Sequence, residues 1–287
     1  MSATPAPPVF VWHNGSVLPA SEVRISPFDH GLTVGDGAFE ALVAIGGRVF
    51  ATRRHYERLC RSCAGLGLEV PPKPVLDEAM AAVISANGLS DARLRITVTG
   101  GEAPLGSDKG NHAPTVLVAA SPKPLWPSAA RVIVVPWPRN ENGALSGLKT
   151  TSYGENVVAL AHAKSHGGDE ALFGTTHGFL CEGTGTNVFW ARDGRLFTPP
   201  LASGCLAGVT RAVVLELAKK GGLSVEEVLV PRDVLREADE AFLTSTTRDV
   251  QAISHVDGQP LPAAPGPMTL TLQKAWRQMI ADGDFEP

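Results

Sequence analysis

The residues with the clearest potential for chemistry are one lysine and one glutamate, Lys149 and Glu182. Lys149 ends the segment SGLK, and Glu182 ends an apolar run directly before a loop that contains Gly183 and Gly185. Glycines allow the backbone to approach a ligand closely. Burial of a glutamate is costly unless a cation pairs with it, and a lysine that leaves water can lose its proton and act as a nucleophile. We therefore expect Lys149 and Glu182 to flank one cofactor.

A longer pattern that begins at Glu182 resembles a known family. Residues 182–189 read EGTGTNVF, which matches the signature E-G-x-x-x-N-[VL]-F of the fold-type IV pyridoxal-phosphate enzymes. This family contains branched-chain and D-amino-acid aminotransferases, (R)-amine transaminases and aminodeoxychorismate lyases. The similarity extends from Asn14-Gly15 to residues 242–247. The resemblance implies an enzyme that uses pyridoxal 5'-phosphate and forms a homodimer with its active sites near the interface.

The resemblance also implies an α+β fold with two lobes. Residues 1–121 are expected to form a small N-terminal α/β sandwich lobe. Residues 139–287 are expected to form a larger C-terminal lobe, β-barrel-like with helices, that binds the cofactor. The prolines of residues 122–138 predict an interdomain linker, because proline cannot donate to a strand ladder and stiffens a connection.

The resemblance assigns roles around the cofactor to individual residues. Lys149 would bond to the cofactor aldehyde and then carry a proton, so that it serves as nucleophile and as general acid and base. Glu182 would lie against the pyridine nitrogen and keep it protonated. Arg58, in the H-x-x-R-L pattern of residues 55–59, would hold the phosphate with its planar fork. The other expected cofactor contacts come from a helix start and from hydroxyl-bearing residues: Gly208, Val209, Thr210, Ser245 and Thr246.

The expected substrate pocket departs from the pattern of the bacterial D-amino-acid aminotransferases. Those enzymes hold the substrate carboxylate with a tyrosine beside the G-D-G strand and with an arginine and a histidine in a loop. This chain has Phe39, Leu105 and Ser107 at the corresponding places. Carboxylate recognition is therefore expected to be different or weaker, which leaves room for amines without a carboxylate. Thr247 is also expected in the pocket, and Tyr153 either lines it or packs as an ordinary tyrosine.

Several activities within the family fit these residues. The first hypothesis is an aminotransferase that moves the amino group of a D-amino acid or an (R)-amine to a 2-keto acid. The alternative is a 4-amino-4-deoxychorismate lyase that releases pyruvate and 4-aminobenzoate, and a branched-chain L-amino-acid aminotransferase ranks third. Glu40, where some lyases carry threonine, favours transfer, whereas the spacing of Lys149 and Glu182, with Asn156, favours the D-amino-acid and lyase branches. A non-catalytic cofactor-binding protein would be expected to lack Lys149 or Glu182.

Composition and charge argue against several other classes. The net charge of −4 and a pI near 6.1, with scattered basic residues, give no electrostatic basis for nucleic-acid binding. No stretch approaches the roughly 18 apolar residues of a membrane helix, and the N-terminus lacks a signal-peptide pattern, so a cytoplasmic location is expected. The four cysteines are expected to be free thiols, and the histidines lack the spacing of a metal site.

Periodicity and turn residues predict the secondary structure. Asn14-Gly15 predicts a type I′ hairpin between strands at residues 9–12 and 17–19. Thr52 is expected to cap the helix that carries Arg58. The other predicted helices cover residues 74–87, 155–166, 206–220 and 267–282. The other predicted strands cover residues 38–45, 48–51, 92–99, 115–120, 129–135, 171–173, 179–182, 188–191, 223–230 and 240–244.

Overall fold

The computed structural model describes residues 9–287, which divide into two compact units. Unit 1 contains the described residues up to Leu125, together with Leu148–Tyr153 and Glu286. Unit 2 contains Trp126–Gly147, Gly154–Phe285 and Pro287. The expected α+β class is confirmed, and residues 1–8 of the expected N-terminal lobe lie outside the described residues. Within residues 9–287, no helix is both long and apolar enough to cross a lipid bilayer.

The division of the chain differs from the expected one in two respects. The strand predicted at residues 129–135 is confirmed, and it continues through residues 136–138 of the expected linker, as Ala129–Arg139. The prolines at positions 136 and 138 are accommodated where the pairing of this strand with its neighbour shifts register, so they interrupt the ladder without ending the strand. In addition, Leu148–Tyr153 belongs to unit 1 although the residues on both sides of it belong to unit 2. Lys149 is therefore part of the unit that contains most of the N-terminal half.

Unit 1 is built on one antiparallel sheet with helices beside it. Its strands are β1 Phe10–His13, β2 Ser16–Pro19, β3 Gly37–Ile45, β4 Arg48–Val49, β5 Ala92–Thr99 and β6 Thr115–Pro122. Its helices are α1 His30–Thr33, α2 Thr52–Leu66 and α3 Lys73–Ala86. The six strands lie in the order β2-β1-β6-β5-β3-β4. The predicted hairpin between β1 and β2 is confirmed, and both of its turn residues have the positive φ that a type I′ turn requires, 43° at Asn14 and 101° at Gly15.

The core of unit 1 lies on one face of this sheet. Leu94, Ile96 and Val98 of β5 pack there with buried residues of α2 and α3. Side chains alternate across a strand, so Arg95 and Thr97 point to the opposite face. This alternation separates the hydrophobic core from the face that carries polar groups.

The start of α2 is capped by a residue far away in the sequence. The backbone N–H of Thr52 donates to Oε1 of Glu286 at 2.7 Å, and the N–H of Arg53 donates to Oε2 at 3.2 Å. The Thr52 hydroxyl also donates to Glu286, at 2.5 Å. The expected cap by Thr52 itself is wrong, because the helix is preceded by Ala51 in the left-handed region and no local side chain caps it. One carboxylate satisfies the first amides instead, with the charge that a helix N-terminus favours.

Unit 2 contains a nine-stranded sheet. Its strands are β7 Ala129–Arg139, β8 Glu170–Thr175, β9 Leu180–Gly183, β10 Asn187–Arg192, β11 Arg195–Thr198, β12 Val225–Glu227, β13 Glu240–Ser245, β14 Asp249–Val256 and β15 Gln259–Pro260. Its helices are α4 Gly154–Ser165, α5 Val209–Lys220 and α6 Pro267–Ala281. The order is β12-β11-β10-β13-β14-β7-β8-β9, with β15 paired to β14. β9 is the edge strand at one end of this sheet, whereas β10 lies near the opposite edge. Only residues 184–186 connect these two strands in the chain. The sheet must therefore curl, and the short connection at the point of closure carries the signature loop.

The cysteines are free thiols, as expected. Three of the four are buried in apolar surroundings. Burial raises the pKa of Cys63 to about 12 and that of Cys205 to about 11, so both remain protonated and unreactive at neutral pH.

Candidate active site

Lys149 is held against the strand β3 by its own backbone. Its N–H donates to Oγ of Ser62 at 3.0 Å, and its carbonyl accepts from the N–H of Phe39 at 3.0 Å. The neighbouring Thr150 forms an isolated β-bridge with Ala38. Nζ of Lys149 lies 4.3 Å from the centroid of the Phe39 ring. The predicted nucleophile is thus fixed at its backbone, with its amine over an aromatic face.

The ring of Phe39 brings two further predicted or charged residues into the same cluster. Tyr153 packs edge-on against it, with ring centroids 5.3 Å apart, and the guanidinium carbon of Arg95 lies 3.7 Å from its centroid. Arg95 is half-buried, and its Nε donates to Oγ1 of Thr97 at 3.1 Å. Burial and the nearby charge of Arg93 lower the pKa of Arg95. Within residues 9–287 no acidic side chain pairs with Arg95, so the cluster contains a partly desolvated cation without an anion.

Arg95 was not singled out by the sequence pattern, which predicted weak carboxylate recognition from Phe39, Leu105 and Ser107. The structure places Leu105 and Ser107 in the connection between β5 and β6, where Leu105 is 73% exposed and Ser107 is exposed as well. The arginine instead comes from the strand that pairs with β3. The sequence signal is the alternation of Arg93, Arg95 and Thr97 with apolar residues in β5. This alternation predicts a polar face of the strand but does not reveal that Arg95 lies beside Phe39.

Arg58 forms a buried cluster with Glu40 and His55. Nε of Arg58 donates to Oε1 of Glu40 at 2.7 Å, and Nη2 donates to Oε2 at 2.8 Å. Nδ1 of His55 lies 2.7 Å from Oε2 of Glu40. Burial alone would raise the pKa of Glu40, but the charge and hydrogen bonds of Arg58, with a smaller effect of His55, hold it far below its usual value. Glu40 is therefore an ionised carboxylate with its two oxygens fully engaged.

Glu182 lies in unit 2 at the end of β9 and is nearly buried. Its Oε2 accepts from the N–H of Leu206 at 2.9 Å and from Nδ2 of Asn187 at 3.4 Å. Nη1 of Arg139 lies 3.4 Å from Oε1, and Nη2 of Arg139 donates to Oδ1 of Asn156 at 3.0 Å. Both carboxylate oxygens thus face donors, which favour the ionised form. This is the anionic group that a protonated ring nitrogen requires, and Arg139 is a contributor that the motif did not predict.

The start of α5 presents backbone amides that suit a phosphate. Gly208 precedes the helix without a side-chain cap, so the amides of Val209 and Thr210 lie at an uncapped N-terminus. A Cβ at Gly208 would lie 2.0 Å from Oδ1 of Asn187, so only glycine fits beside that amide. The chemistry of these donors fits a phosphate, and the carboxylate of Glu182 fits a pyridine nitrogen.

The predicted site residues fall into the two units as follows. Unit 1 contains Phe39, Arg58, Leu105, Ser107, Lys149 and Tyr153; unit 2 contains Glu182, Gly208, Val209, Thr210, Ser245, Thr246 and Thr247. Within unit 1, Lys149, Phe39 and Tyr153 are brought together. Within unit 2, Ser245 ends β13, and Thr246 and Thr247 lie in the turn that leads to β14.

Comparison with known proteins identifies what the chain is similar to. The family model of the class IV amino-transferases matches residues 37–256. A Methanocaldococcus jannaschii protein provisionally named a branched-chain-amino-acid aminotransferase is 35% identical over 254 residues, which cover 87% of this chain and 88% of that protein. A D-alanine aminotransferase of Bacillus licheniformis is 30% identical, with 94% of this chain and 96% of that protein covered. The branched-chain aminotransferase of Thermoproteus uzoniensis, solved with norvaline, superposes with a TM-score of 0.88 at 31% identity, over 96% of this chain and 95% of that one.

Proposed function

The chain belongs to the class IV aminotransferase family, whose members use pyridoxal phosphate, and on this basis we propose that it transfers the amino group of an α-amino acid to a 2-keto acid. The observation that supports a carboxylate-bearing substrate most directly is Arg95. It is a half-buried cation beside Phe39, the ring that Nζ of Lys149 also contacts. Amino acids and 2-keto acids both carry the carboxylate that such a cation would bind.

The side chains of this protein have distinct roles in the proposed reaction. When bound, pyridoxal phosphate supplies an electron-withdrawing ring that stabilises the negative charge left when the substrate loses its α-proton. Lys149 is the amine that would hold the cofactor aldehyde, and the same Nζ would accept and return the α-proton of the substrate. Glu182, whose carboxylate faces three donors, would lie against the pyridine nitrogen and stabilise its protonated form. The guanidinium of Arg58 would bind the phosphate in this proposal. In unit 2, the amides at the start of α5 and the hydroxyl groups of residues 245–246 are the donors expected for it.

Two donor classes are compatible with these residues, and we rank a branched-chain L-amino acid first. The names of most relatives support this choice, as does the apolar surface that Phe39 and Tyr153 contribute. A D-amino acid ranks second, supported by the similarity to a D-alanine aminotransferase and by the spacing of Lys149 and Glu182 together with Asn156. The (R)-amines become less attractive as donors because Arg95 would have no carboxylate to bind. The sequence pattern alone favours D-amino acids and (R)-amines, and the position of Arg95 beside Phe39 changes this ranking.

A panel of four donors tests the proposal. L-leucine, D-alanine, (R)-phenylethylamine and aminodeoxychorismate are each mixed with the cofactor-loaded protein, and loss of the absorbance of the lysine-bound cofactor is followed. We expect L-leucine to react fastest and to give the amino form of the cofactor and a keto acid. Faster reaction of D-alanine would select the D-amino-acid version. Turnover of aminodeoxychorismate alone, with no acceptor needed, would refute the transaminase proposal in favour of the lyase.

We also propose that the chain acts as a homodimer. A short segment of unit 1 exposes three large apolar side chains: Phe28 is 52% exposed, Leu32 69% and Val34 45%. Apolar groups concentrated in this way usually mark a protein contact, and a second copy is the simplest occupant. Light scattering after size exclusion should give twice the chain mass, and Leu32→Glu should shift the protein toward the monomer. A fully active wild-type monomer would contradict the proposal.

A further inference from the structure

The cluster of Glu40, His55 and Arg58 has a composition that its expected role does not explain. A phosphate ligand needs only the arginine, yet here the arginine is paired with a carboxylate that is itself bound by a histidine. The exposed fractions are 0% for Glu40, 1% for His55 and 5% for Arg58. Burial of an ion pair and an imidazole costs desolvation free energy, so the arrangement must be maintained by good geometry.

The geometry determines which nitrogen of His55 carries the proton. Glu40 is ionised and can only accept, so Nδ1 of His55 must be the donor across the 2.7 Å contact. Nε2 of His55 is buried and has no hydrogen-bond partner among the described residues. A buried N–H without an acceptor would cost more than a bare lone pair, so the neutral form is favoured. Burial lowers the pKa of His55 in agreement with this, although Glu40 opposes the effect.

The same contacts determine how Arg58 is oriented. Glu40 takes the edge of the guanidinium formed by Nε and Nη2. An anion cannot bind at this edge and must approach Arg58 from another side, while the carboxylate plane of Glu40 sets the plane of the guanidinium. His55 in turn donates to the oxygen of Glu40 that accepts from Nη2, which restricts rotation of the carboxylate.

We propose that Glu40 and His55 are positioning residues: His55, as the neutral Nδ1–H tautomer, orients Glu40, and Glu40 orients the guanidinium of Arg58 toward the cofactor phosphate. This inference rests on the proposed function, because it takes Arg58 as a phosphate ligand. In this role neither Glu40 nor His55 needs to contact the substrate or the cofactor. A lysine at position 58 would not replace the arginine, since a single ammonium cannot hold a carboxylate on one edge and an anion on another in a fixed plane.

The experiment measures the affinity of the cofactor-free protein for two probes, pyridoxal phosphate and pyridoxal, which lacks the phosphate. His55→Leu removes the donor, whereas His55→Asn offers a side-chain N–H close to the place of Nδ1. We expect His55→Leu to weaken pyridoxal phosphate binding about tenfold or more, while His55→Asn stays within about threefold of wild type. Pyridoxal affinity should be unchanged in both variants. Glu40→Gln, a second variant of the same volume, should also weaken only the phosphate form.

A double-mutant cycle with Arg58→Leu separates positioning from general damage. If His55 acts through Arg58, His55→Leu should cost nothing more once Arg58 has been replaced. Additive losses, or equal losses for both probes, would overturn the inference. Thermal unfolding of each cofactor-free variant identifies any that fail to fold. If His55→Leu does not fold, the affinities of Glu40→Gln and His55→Asn for pyridoxal phosphate and pyridoxal test the inference.

Failure of this inference is distinguishable from failure of the proposed function. A wild-type protein that binds pyridoxal phosphate with the expected dependence on His55 but transfers no amino group would remove only the proposed function. A wild-type protein that transfers amino groups while His55→Leu binds both probes normally would remove only the positioning role.

Discussion

Replacement of Arg95 by methionine tests whether the cation beside Phe39 binds the substrate carboxylate. Methionine keeps an unbranched apolar stem but removes the guanidinium. A hydrogen bond to a charged group contributes about 1.5–3 kcal/mol, and we expect the lower part of this range because Arg95 is only half-buried and already donates its Nε to Thr97. At about 1.4 kcal/mol per factor of ten, the loss corresponds to a roughly 10–30-fold lower kcat/KM for the amino acid donor.

The assay is the donor half-reaction, measured with the best amino acid donor and with its methyl ester, which has no carboxylate charge. The loss should appear with the acid and be nearly absent with the ester. Arg93→Met is the matched control, because Arg93 lies on the same strand face two residues away but is exposed. An equal loss for acid and ester, or an unchanged kcat/KM for the acid, would refute the assignment of Arg95 as the carboxylate anchor.

Three further predictions follow from the site. Lys149→Ala should abolish transfer, and borohydride reduction of the wild-type protein should link the cofactor to Lys149; cofactor found on another lysine would exclude this role. Glu182→Gln should lower the unfolding free energy of the cofactor-free protein by about 1–3 kcal/mol, because both carboxylate oxygens face donors and the amide must turn its NH₂ toward one of them; an unchanged urea midpoint would contradict the donor arrangement. Stability should decrease with acid, because the pKa of His55 is lowered from 6.5 and that of Glu40 from 4.5, so the unfolded chain binds more protons than the native state below each of these values. His55→Asn should lose less unfolding free energy than the wild type between pH 6.5 and 4.5. If the unfolding free energies of the two proteins depended on pH in the same way, His55 would not cause the loss.

The fold was predictable where local chemistry decides it. The Asn14-Gly15 turn is an example, since both positions need positive φ and few residue pairs supply it. The strand Asp249–Val256 was not predicted. Consecutive residues in its middle are buried, so both faces of the strand are covered there, and it also contains glutamine, serine and histidine. The sequence therefore shows neither the polar–apolar alternation of a half-exposed strand nor the apolar run of a buried one. The cap of α2 was mispredicted because the acceptor of its first backbone amides, Glu286, is 234 residues from Thr52.

Candidate site residues could be predicted from the sequence where they are part of a short motif. Lys149 and Glu182 lie in short sequence motifs, and both fall within residues 37–256, which the family model matches. Arg95 and Arg139 have no such pattern, because their roles depend on which strands become neighbours. The cation against the Phe39 ring, for instance, exists only because β5 pairs with β3.

The cap of α2 by Glu286 also has a consequence for the order of events during synthesis. The helix that carries His55 and Arg58 leaves the ribosome early, but the carboxylate that satisfies its first amides is made 234 residues later. At about 5–20 residues per second, the first turn of α2 waits roughly 10–50 s for its partner. During that interval the helix start lacks this acceptor, and Arg58 lies only six residues beyond Thr52. A nascent chain arrested before residue 286 should therefore bind the cofactor poorly even when every residue named in the site has already been synthesised.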